Sequence, residues 1–364
     1  MDTTRPPRAG AHRTRRAEAR FGLAAIAPAA LLLLIFLVIP TLLAFALSFT
    51  NAKLIAQGAP EFVGIQNFQR LLGVEIATVD VERDASGAIE RGDDGEPVYP
   101  SARELQAEAD PVLKKSELGS WQSGDASSKT YLLVGDPIFW KALLNTFLFV
   151  IVVVPVQAGL ALALALFVNL RMRGSNLFRT VIFIPVVTSM VVVSILWLFM
   201  YQRDGLINQV LASVIPGYEF VDWLANPQTA LPSIIVMSIW QAVGFHMIIW
   251  LSGLQTIPGE LYEAARLDGA GAWRRFTSVT WPGLRHTAVF VLITITIAAL
   301  GLFVQINVMT QGGPLDSTQT LVFHAFTAGY GKQQMGYGSA IAVVFFVLVL
   351  TISLIQRRLT REKD

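Results

Sequence analysis

Few side chains in this sequence have the chemistry of an enzyme active site. The 364 residues include no cysteine and only four histidines, so there is no thiol nucleophile and little for a histidine-based metal site. The sequence also has no Gly-x-x-x-x-Gly-Lys-Ser/Thr phosphate loop and no Gly-x-Ser-x-Gly or His-Glu-x-x-His motif. We therefore predict that the chain is not an enzyme, that it holds no cofactor or metal, and that any energy it uses comes from a partner.

The polar residues with the best chemistry for a ligand lie inside long apolar stretches. If those stretches span a membrane, a path for a polar solute needs hydrogen-bonding groups there, because unpaired polar groups are costly in hydrocarbon. Amides suit hydroxyl groups, and aromatic rings suit the C–H faces of a sugar. The candidate path residues are Gln241, Phe245, Phe303, Gln305 and Asn307. Helix packing is the alternative role for each, and a hydrogen-bonded core histidine is the preferred interpretation of His246.

The composition supports membrane spans. Hydrophobic residues make up 53% of the chain and charged residues only 15%, against about 25% charged in a soluble domain. A span needs about 20 apolar residues, and six stretches free of Asp, Glu, Lys and Arg exceed that length. They are residues 21–52, 142–170, 180–202, 223–259, 286–315 and 333–356. We predict an all-α membrane protein with six transmembrane helices.

The charges outside these stretches predict the orientation. The tails and loops that share a side with the termini carry 17 basic and 7 acidic residues, whereas the other side carries 11 and 19. Positive residues favour the cytoplasm, so both termini are expected there, as short tails at 1–20 and 357–364. A stretch as long as 21–52 exceeds the apolar core of a signal peptide and is read as a retained span. The net charge of +2 gives no reason to expect a nucleic-acid partner.

The most informative loop, residues 255–286, joins the fourth and fifth spans. Pro258 and Glu260 suit the first turn of a short helix, and Gly269 can adopt the left-handed conformation that ends one. The adjacent alanines, Ala264 and Ala265, leave room for another protein to approach closely. The loop therefore predicts a short helix, a glycine stop and a second helical segment exposed to a partner.

This loop resembles the EAA loop of bacterial ATP-binding-cassette importer permeases. The resemblance rests on Glu263-Ala264-Ala265, Asp268-Gly269-Ala270 and Pro282, twelve residues beyond Ala270. Other stretches, such as Thr310-Gln311-Gly312-Gly313-Pro314, are similar to carbohydrate permeases of the maltose-transporter type. The sequence departs from many of these relatives at 303–307, which reads Phe-Val-Gln-Ile-Asn instead of Phe-Asp-x-Ile-Tyr, so the identity of the solute does not carry over.

The resemblance implies a fold, a function and a set of partners. The fold would be that of a type I importer permease, with a five-helix core at 138–356, in the bacterial inner membrane. The chain would pair with a second, related permease, two copies of an ATPase that binds ATP and Mg²⁺, and an extracytoplasmic solute-binding protein, and it would import a disaccharide or oligosaccharide. The residues expected to contact the ATPase are Glu263, Ala264, Ala265, Arg266, Asp268, Gly269 and Ala270. The alternatives are a permease for glycerol 3-phosphate or another polyol, a stand-alone carrier or channel, and a membrane scaffold.

An acidic, polar block at 73–135 interrupts the resemblance between the first and second spans. Alternation at 78–83, a turn at 85–87 and a return at 88–90 predict a hairpin. Ser101 and Glu104 have the spacing of a capping box, and 131–134 predicts a further strand. We expect a small extracytoplasmic α+β insert beside the binding-protein surface, with a disordered loop as the alternative.

Overall fold

The computed structural model describes residues 24–55, 58–83, 87–92, 95–101, 104, 115–122, 127–170 and 174–360. The predicted tail at 1–20, residues 361–364 of the other tail and most of the helix predicted after Ser101 lie outside these residues. The helices, in chain order, are α1 Ala24–Leu47, α2 Gln66–Leu72, α3 Pro137–Asn169, α4 Ser175–Val187, α5 Met190–Met200, α6 Leu206–Val214, α7 Pro227–Gln255, α8 Gly259–Leu267, α9 Ala272–Arg275, α10 Trp281–Gly283, α11 Arg285–Leu300, α12 Val304–Met309, α13 Leu321–Phe326 and α14 Met335–Thr360. Short π-helical turns, Phe276–Thr280 and Thr327–Gly331, follow α9 and α13.

Five of the segments are long and apolar enough to cross a membrane: α1, α3, α7, α11 with α12, and α14. A sixth is available only as a bent pair, because α4 and α5 meet at 97°. The span predicted at 180–202 therefore corresponds to this bent pair and not to one continuous helix. The backbone is extended at Thr188 and Ser189, and the Thr188 hydroxyl donates to the Ile184 carbonyl at 3.1 Å, a local hydrogen bond that competes with helix continuation.

Two of the long helices, α3 and α7, begin at side-chain caps. The Asp136 carboxylate accepts a hydrogen bond from the Phe139 N–H at 3.0 Å, and Pro137 occupies the first helical turn of α3. α7 repeats this arrangement with Asn226, which accepts from the Gln228 N–H at 2.9 Å. An N-cap acceptor followed by proline is a strong helix start, because the missing N–H of proline would have no partner there.

Small residues allow the spans to pack closely. Ala158, Ala161 and Ala165 of α3 are buried in the main core together with residues of α7. At Gly244 of α7, an added Cβ would lie 2.3 Å from the Ile182 carbonyl of α4. Close backbone approach of this kind is how spans associate in lipid, where apolar burial supplies little driving force.

Residues 74–134 contain a three-stranded antiparallel sheet at the end of the bundle opposite to α8. Its strands are β1 Val74–Asp80, β2 Ser116–Gln122 and β3 Ser128–Val134, in the order β1-β3-β2. The predicted hairpin of 78–83 with 88–90 forms only in part: Arg83 makes an isolated antiparallel bridge with Ile89, whereas residues 78–80 pair with β3 instead. Most of the predicted turn at 85–87 lies outside the described residues. The β2 strand was not predicted, because its sequence, Ser-Glu-Leu-Gly-Ser-Trp-Gln, has no regular alternation.

The capping box is formed in the described part of the insert. The Ser101 N–H donates to the Glu104 carboxylate at 2.6 Å, and the Glu104 N–H donates to the Ser101 hydroxyl at 3.3 Å. The described residues of the insert thus contain a sheet and a capping box.

The two ends of the insert meet at a narrow neck. The Gly135 N–H donates to the Gly73 carbonyl at 2.9 Å. A Cβ at Gly135 would lie 2.0 Å from the Arg70 carbonyl, so only glycine fits there. The adjoining apolar cluster, which includes Leu71 and Phe139, contains no residue of the insert among its buried members.

A buried polar cluster holds the neck to the bundle. The Asp136 carboxylate lies 2.7 Å from His324 Nε2 of α13 and accepts from the Tyr337 hydroxyl of α14 at 2.5 Å, and the Arg70 guanidinium lies 4.2 Å from the centre of the Tyr337 ring. Burial raises the pKa of Asp136, but the hydrogen bonds and charge of His324, with the bonds from Tyr337 and Phe139, bring its pKa well below the usual value.

Removal of residues 73–135, with Leu72 joined directly to Asp136, should leave a folded bundle. The neck already brings the two ends together, and the apolar cluster beside it does not use the insert. The measurement is membrane insertion and a single symmetric elution peak in detergent, compared with the full chain. Aggregation of the shortened chain, under conditions where the full chain elutes normally, would contradict the separation of insert and bundle.

Asp136→Asn should lower the thermal midpoint in detergent at pH 7, by the equivalent of about 1–3 kcal/mol for a buried hydrogen-bonded charge. The folded carboxylate has a lowered pKa, so its stabilisation is present above the unfolded value of about 3.9 and is lost as the pH falls. The difference between variant and parent should therefore shrink in acid. Asp80→Asn, at the exposed end of β1, is the control, and an equal loss there would refute the assignment.

Candidate functional site: the α8 loop and the central cavity

The predicted coupling loop forms a short exposed helix with a defined stop. α8 follows Pro258, which is the N-cap residue rather than part of the first turn. Gly269 has φ +71°, as predicted. Its N–H donates to the Arg266 carbonyl at 3.0 Å, and the Ala270 N–H donates to the Ala265 carbonyl at 2.9 Å. This pair of bonds is a Schellman motif, which satisfies the last carbonyls of a helix.

α8 projects from the bundle but is attached at several points. None of its residues is buried. The Tyr262 hydroxyl lies 3.1 Å from the Thr280 hydroxyl of the following π turn. A Cβ at Gly283 would lie 2.8 Å from the Ile257 side chain, so the chain on both sides of α8 is held closely together. The loop is an exposed element with a constrained base.

The predicted contact residues occupy this exposed helix and its stop. Exposed positions are Glu263, Ala264, Arg266, Asp268 and Gly269, whereas Ala265 and Ala270 are half-buried. Two apolar side chains belong to the same exposed surface: Leu267 is 90% exposed and Trp273 is 76% exposed. Large apolar groups this exposed at one end of a molecule indicate a protein-binding surface. Both residues lie within four positions of Gly269, and this closeness to the helix stop is the feature of the sequence that points to them.

A cavity of about 140 Å³ lies within the bundle, lined mostly by apolar residues together with five polar ones. Its polar lining residues are Gln157 of α3, Ser238, Gln241 and His246 of α7, and Gln305 of α12. Gln157 Nε2 lies 2.8 Å from His246 Nδ1, and Gln241 Nε2 donates to the Pro185 carbonyl at 3.3 Å. The buried Ser238 hydroxyl has no hydrogen-bond partner within the described chain, which marks a place for a polar ligand.

The structure brings together only part of the predicted path. Gln241 and Gln305 line the cavity. Phe245 is 45% exposed, and its ring packs edge-on against the His246 ring, with 5.2 Å between the ring centres. Phe303 packs against the Phe326 ring at 5.0 Å, and Asn307 is exposed. These last three residues do not line the cavity.

Two further cavity residues were available from the sequence. Ser238 precedes Gln241 by three residues and His246 follows it by five, which a helical period places on one broad face of α7. His246 has partners, as its interpretation as a core histidine requires: its Nδ1 is 3.1 Å from the Ala242 carbonyl in addition to the contact with Gln157. His246 is therefore both a hydrogen-bonded core residue and a part of the cavity wall.

A bundle of apolar spans, a cavity with several polar lining groups and an exposed helix at one end are the features expected of a membrane transport subunit. The family described as binding-protein-dependent transport system inner membrane component matches residues 139–363. The chain belongs to this family. It is therefore a multi-pass protein of the bacterial inner membrane and a transport subunit, and the resemblance drawn from the EAA loop is confirmed.

Individual relatives agree with the family. The lactose transport system permease protein LacF of Rhizobium radiobacter is 37% identical over 235 residues, which cover 64% of this chain and 79% of the relative. The probable ABC transporter permease protein YurN of Bacillus subtilis is 37% identical over 259 residues, covering 68% and 89%. A crystal structure of a bacterial alginate ABC transporter with its periplasmic protein matches with a TM-score of 0.58 at 23% identity, over 62% of this chain and 79% of that one. That likeness confirms the permease fold.

Proposed function

We propose that this chain is the permease subunit of an ATP-driven importer for a neutral sugar, a disaccharide or oligosaccharide. The observation that carries the proposal is the central cavity, whose polar lining consists of amides, a hydroxyl and an imidazole, with no Asp, Glu, Lys or Arg among the described lining residues. Such groups suit sugar hydroxyls. Relatives named for lactose, for arabinooligosaccharides and for trehalose and maltose agree with this choice.

The alternatives are less consistent with the cavity. A phosphorylated polyol such as glycerol 3-phosphate would call for Arg or Lys beside the phosphate, and the cavity offers neither. A stand-alone carrier or channel would have no use for an exposed α8 with Leu267 and Trp273 at its surface. We therefore retain the ATP-driven importer.

The proposed partners follow from the two ends of the molecule. The α8 end would lie in the cytoplasm, with both termini, and would bind one of two ATPase copies, which hold the ATP and Mg²⁺. The opposite end, with the sheet of β1 to β3, would meet the solute-binding protein, and the second permease would complete the path. This chain itself would hold no cofactor and catalyse no reaction.

The proposed ATPase contact consists of a small-residue surface flanked by charges and one apolar side chain. Ala264 and Ala265 permit close approach, Glu263 and Arg266 offer ion pairs, and Leu267 has an apolar surface to bury. The Schellman stop at Gly269 then fixes the direction in which the chain returns to the bundle. Movement of the ATPase would be transmitted through the constrained base of the loop to α7 and α11, which flank the cavity.

Gly269→Ala should uncouple ATP hydrolysis from uptake. The left-handed conformation costs a non-glycine residue about 1 kcal/mol or more, and no atom lies within 4 Å of the added Cβ, so the effect is conformational and not steric. The matched control is Gly271→Ala, where φ is −68° and the space is equally open. The measurement is binding-protein-stimulated ATPase activity together with sugar uptake in proteoliposomes. Equal coupling in both variants would exclude this role for the stop.

Gln305→Leu should reduce uptake of lactose or maltose at saturating substrate by about tenfold or more, because it removes a cavity amide that would pair with a hydroxyl. Asn307→Leu, two residues further along α12 but outside the cavity, is the matched control. Uptake is measured in the reconstituted importer with labelled sugars. If neither sugar enters a wild-type assembly that hydrolyses ATP, or if both variants behave alike, the cavity is not the sugar path.

A further inference from the structure

A second cavity, of about 460 Å³, opens at the end of the bundle opposite to α8. Three segments form it: the end of α5, the loop that precedes α7, and the loop that follows α12. Its polar and aromatic lining residues are Tyr201, Gln202, Arg203, Asp222, Trp223 and Thr310. We refer to it as the outer cavity.

The side-chain amide of one buried residue, Asn208, joins two of the three segments that form the outer cavity. Asn208 of α6 is fully buried, and its Nδ2 donates to the Arg203 carbonyl at 2.8 Å and to the Val221 carbonyl at 2.9 Å. Its Oδ1 accepts from the Trp223 indole N–H at 3.0 Å and from the Tyr218 hydroxyl at 2.8 Å. The chain segments that carry Arg203 and Trp223 are therefore fixed relative to each other before any ligand arrives.

The lining has the groups that recognise a neutral, hydroxyl-rich molecule. Arg203 donates to the Asp222 carboxylate at 3.3 Å, and their side chains are 64% and 50% exposed, so donor and acceptor groups stand side by side at the rim. The half-buried Trp223 ring offers a face for C–H groups, and the buried Tyr201 ring, 6.1 Å from it centre to centre, supports it from behind. The ion pair leaves no net charge on the rim, which disfavours a phosphate or other anion.

The outer cavity is aligned with the central cavity along the same two helices. On α5, Met190 lines the central cavity and Leu198 lines the outer cavity. On α12, the corresponding residues are Gln305 and Met309. At 1.5 Å per residue these pairs are separated by about 12 Å and about 6 Å along their helices, so a solute leaving the outer cavity would reach the central cavity within about one sugar length.

We infer that the outer cavity is a second sugar-binding site, which receives the solute at the mouth of the path before it enters the central cavity. Arg203, Asp222 and Trp223 contact the sugar, and Asn208 is a positioning residue that holds their segments in place. This inference rests on the proposed function, because it takes the solute to be a neutral sugar.

The test uses the permease pair with its ATPase subunits in nanodiscs, without the binding protein. Lactose, maltose and trehalose are the probes, and binding is measured by isothermal titration. Asp222→Ala should weaken binding at one of two sites by about tenfold, the loss expected for a hydrogen bond to a charged group. Asp204→Ala is the matched control, since Asp204 is exposed next to Arg203 but does not line the cavity.

A second variant separates positioning from contact. Asn208→Ala should weaken the same site, whereas Gln305→Leu should weaken only the other, and the maximal ATPase rate should stay within about twofold in the control Asp204→Ala. If the assembly imports a probe sugar but Asp222→Ala binds it as the wild type does, the outer site is wrong and the proposed function stands. A parallel titration adds the binding protein: if Asp222→Ala binds the probe sugar normally and weakens only the affinity of the binding protein for the assembly, the cavity receives a loop of that protein, which also overturns the inference. If no probe sugar is bound or imported by an active assembly, the proposed function fails with it.

Discussion

Lipid cannot hydrogen-bond a peptide group, and this constraint determines where the chain can depart from a helix. Within the described residues, two helix pairs of the spans are separated by breaks, α4 from α5 and α11 from α12, and both breaks lie against other helices. At the first, the Gln241 amide donates to the Pro185 carbonyl. At the second, the buried Thr320 hydroxyl donates to the Leu302 carbonyl at 2.9 Å. The carbonyls freed by the breaks are thus satisfied by side chains from neighbouring segments.

The same breaks create the cavities. A continuous bundle of straight helices would pack to the density of a protein interior and leave no room for a solute. The bend of 97° between α4 and α5 and the interruption before α12 separate the helices locally, and the central cavity lies between them. Gln241 serves both purposes: it satisfies a broken helix and it lines the space that the break produces.

The two ends of the molecule are organised by different interactions. At the α8 end, the Schellman motif at Gly269 ends a short helix whose side chains are mostly exposed. At the opposite end, buried polar side chains act as hubs: Asn208 joins the segments around the outer cavity, and Asp136 joins the neck of the insert to α13 and α14. Exposed apolar groups suit a surface that another protein covers. Buried hydrogen-bonded side chains suit a cavity wall, because the wall must keep its shape when a solute displaces water beside it.

The sequence by itself determined the apolar spans, the loop between α7 and α11 and its glycine stop, because each depends on local composition or on the conformational freedom of one residue. It also predicted the third strand of the insert and the capping box of Ser101 and Glu104, both of which are short-range patterns. The tertiary structure decided which polar residues share a cavity. Gln157 and His246 are 89 residues apart and lie 2.8 Å from each other, while Phe303 and Asn307, close to Gln305 in sequence, point elsewhere. It also decided the bend at Thr188 and the unpredicted β2 strand, since a break is stable only where neighbours satisfy the freed backbone groups and a polar strand forms only where a partner strand supplies its hydrogen bonds.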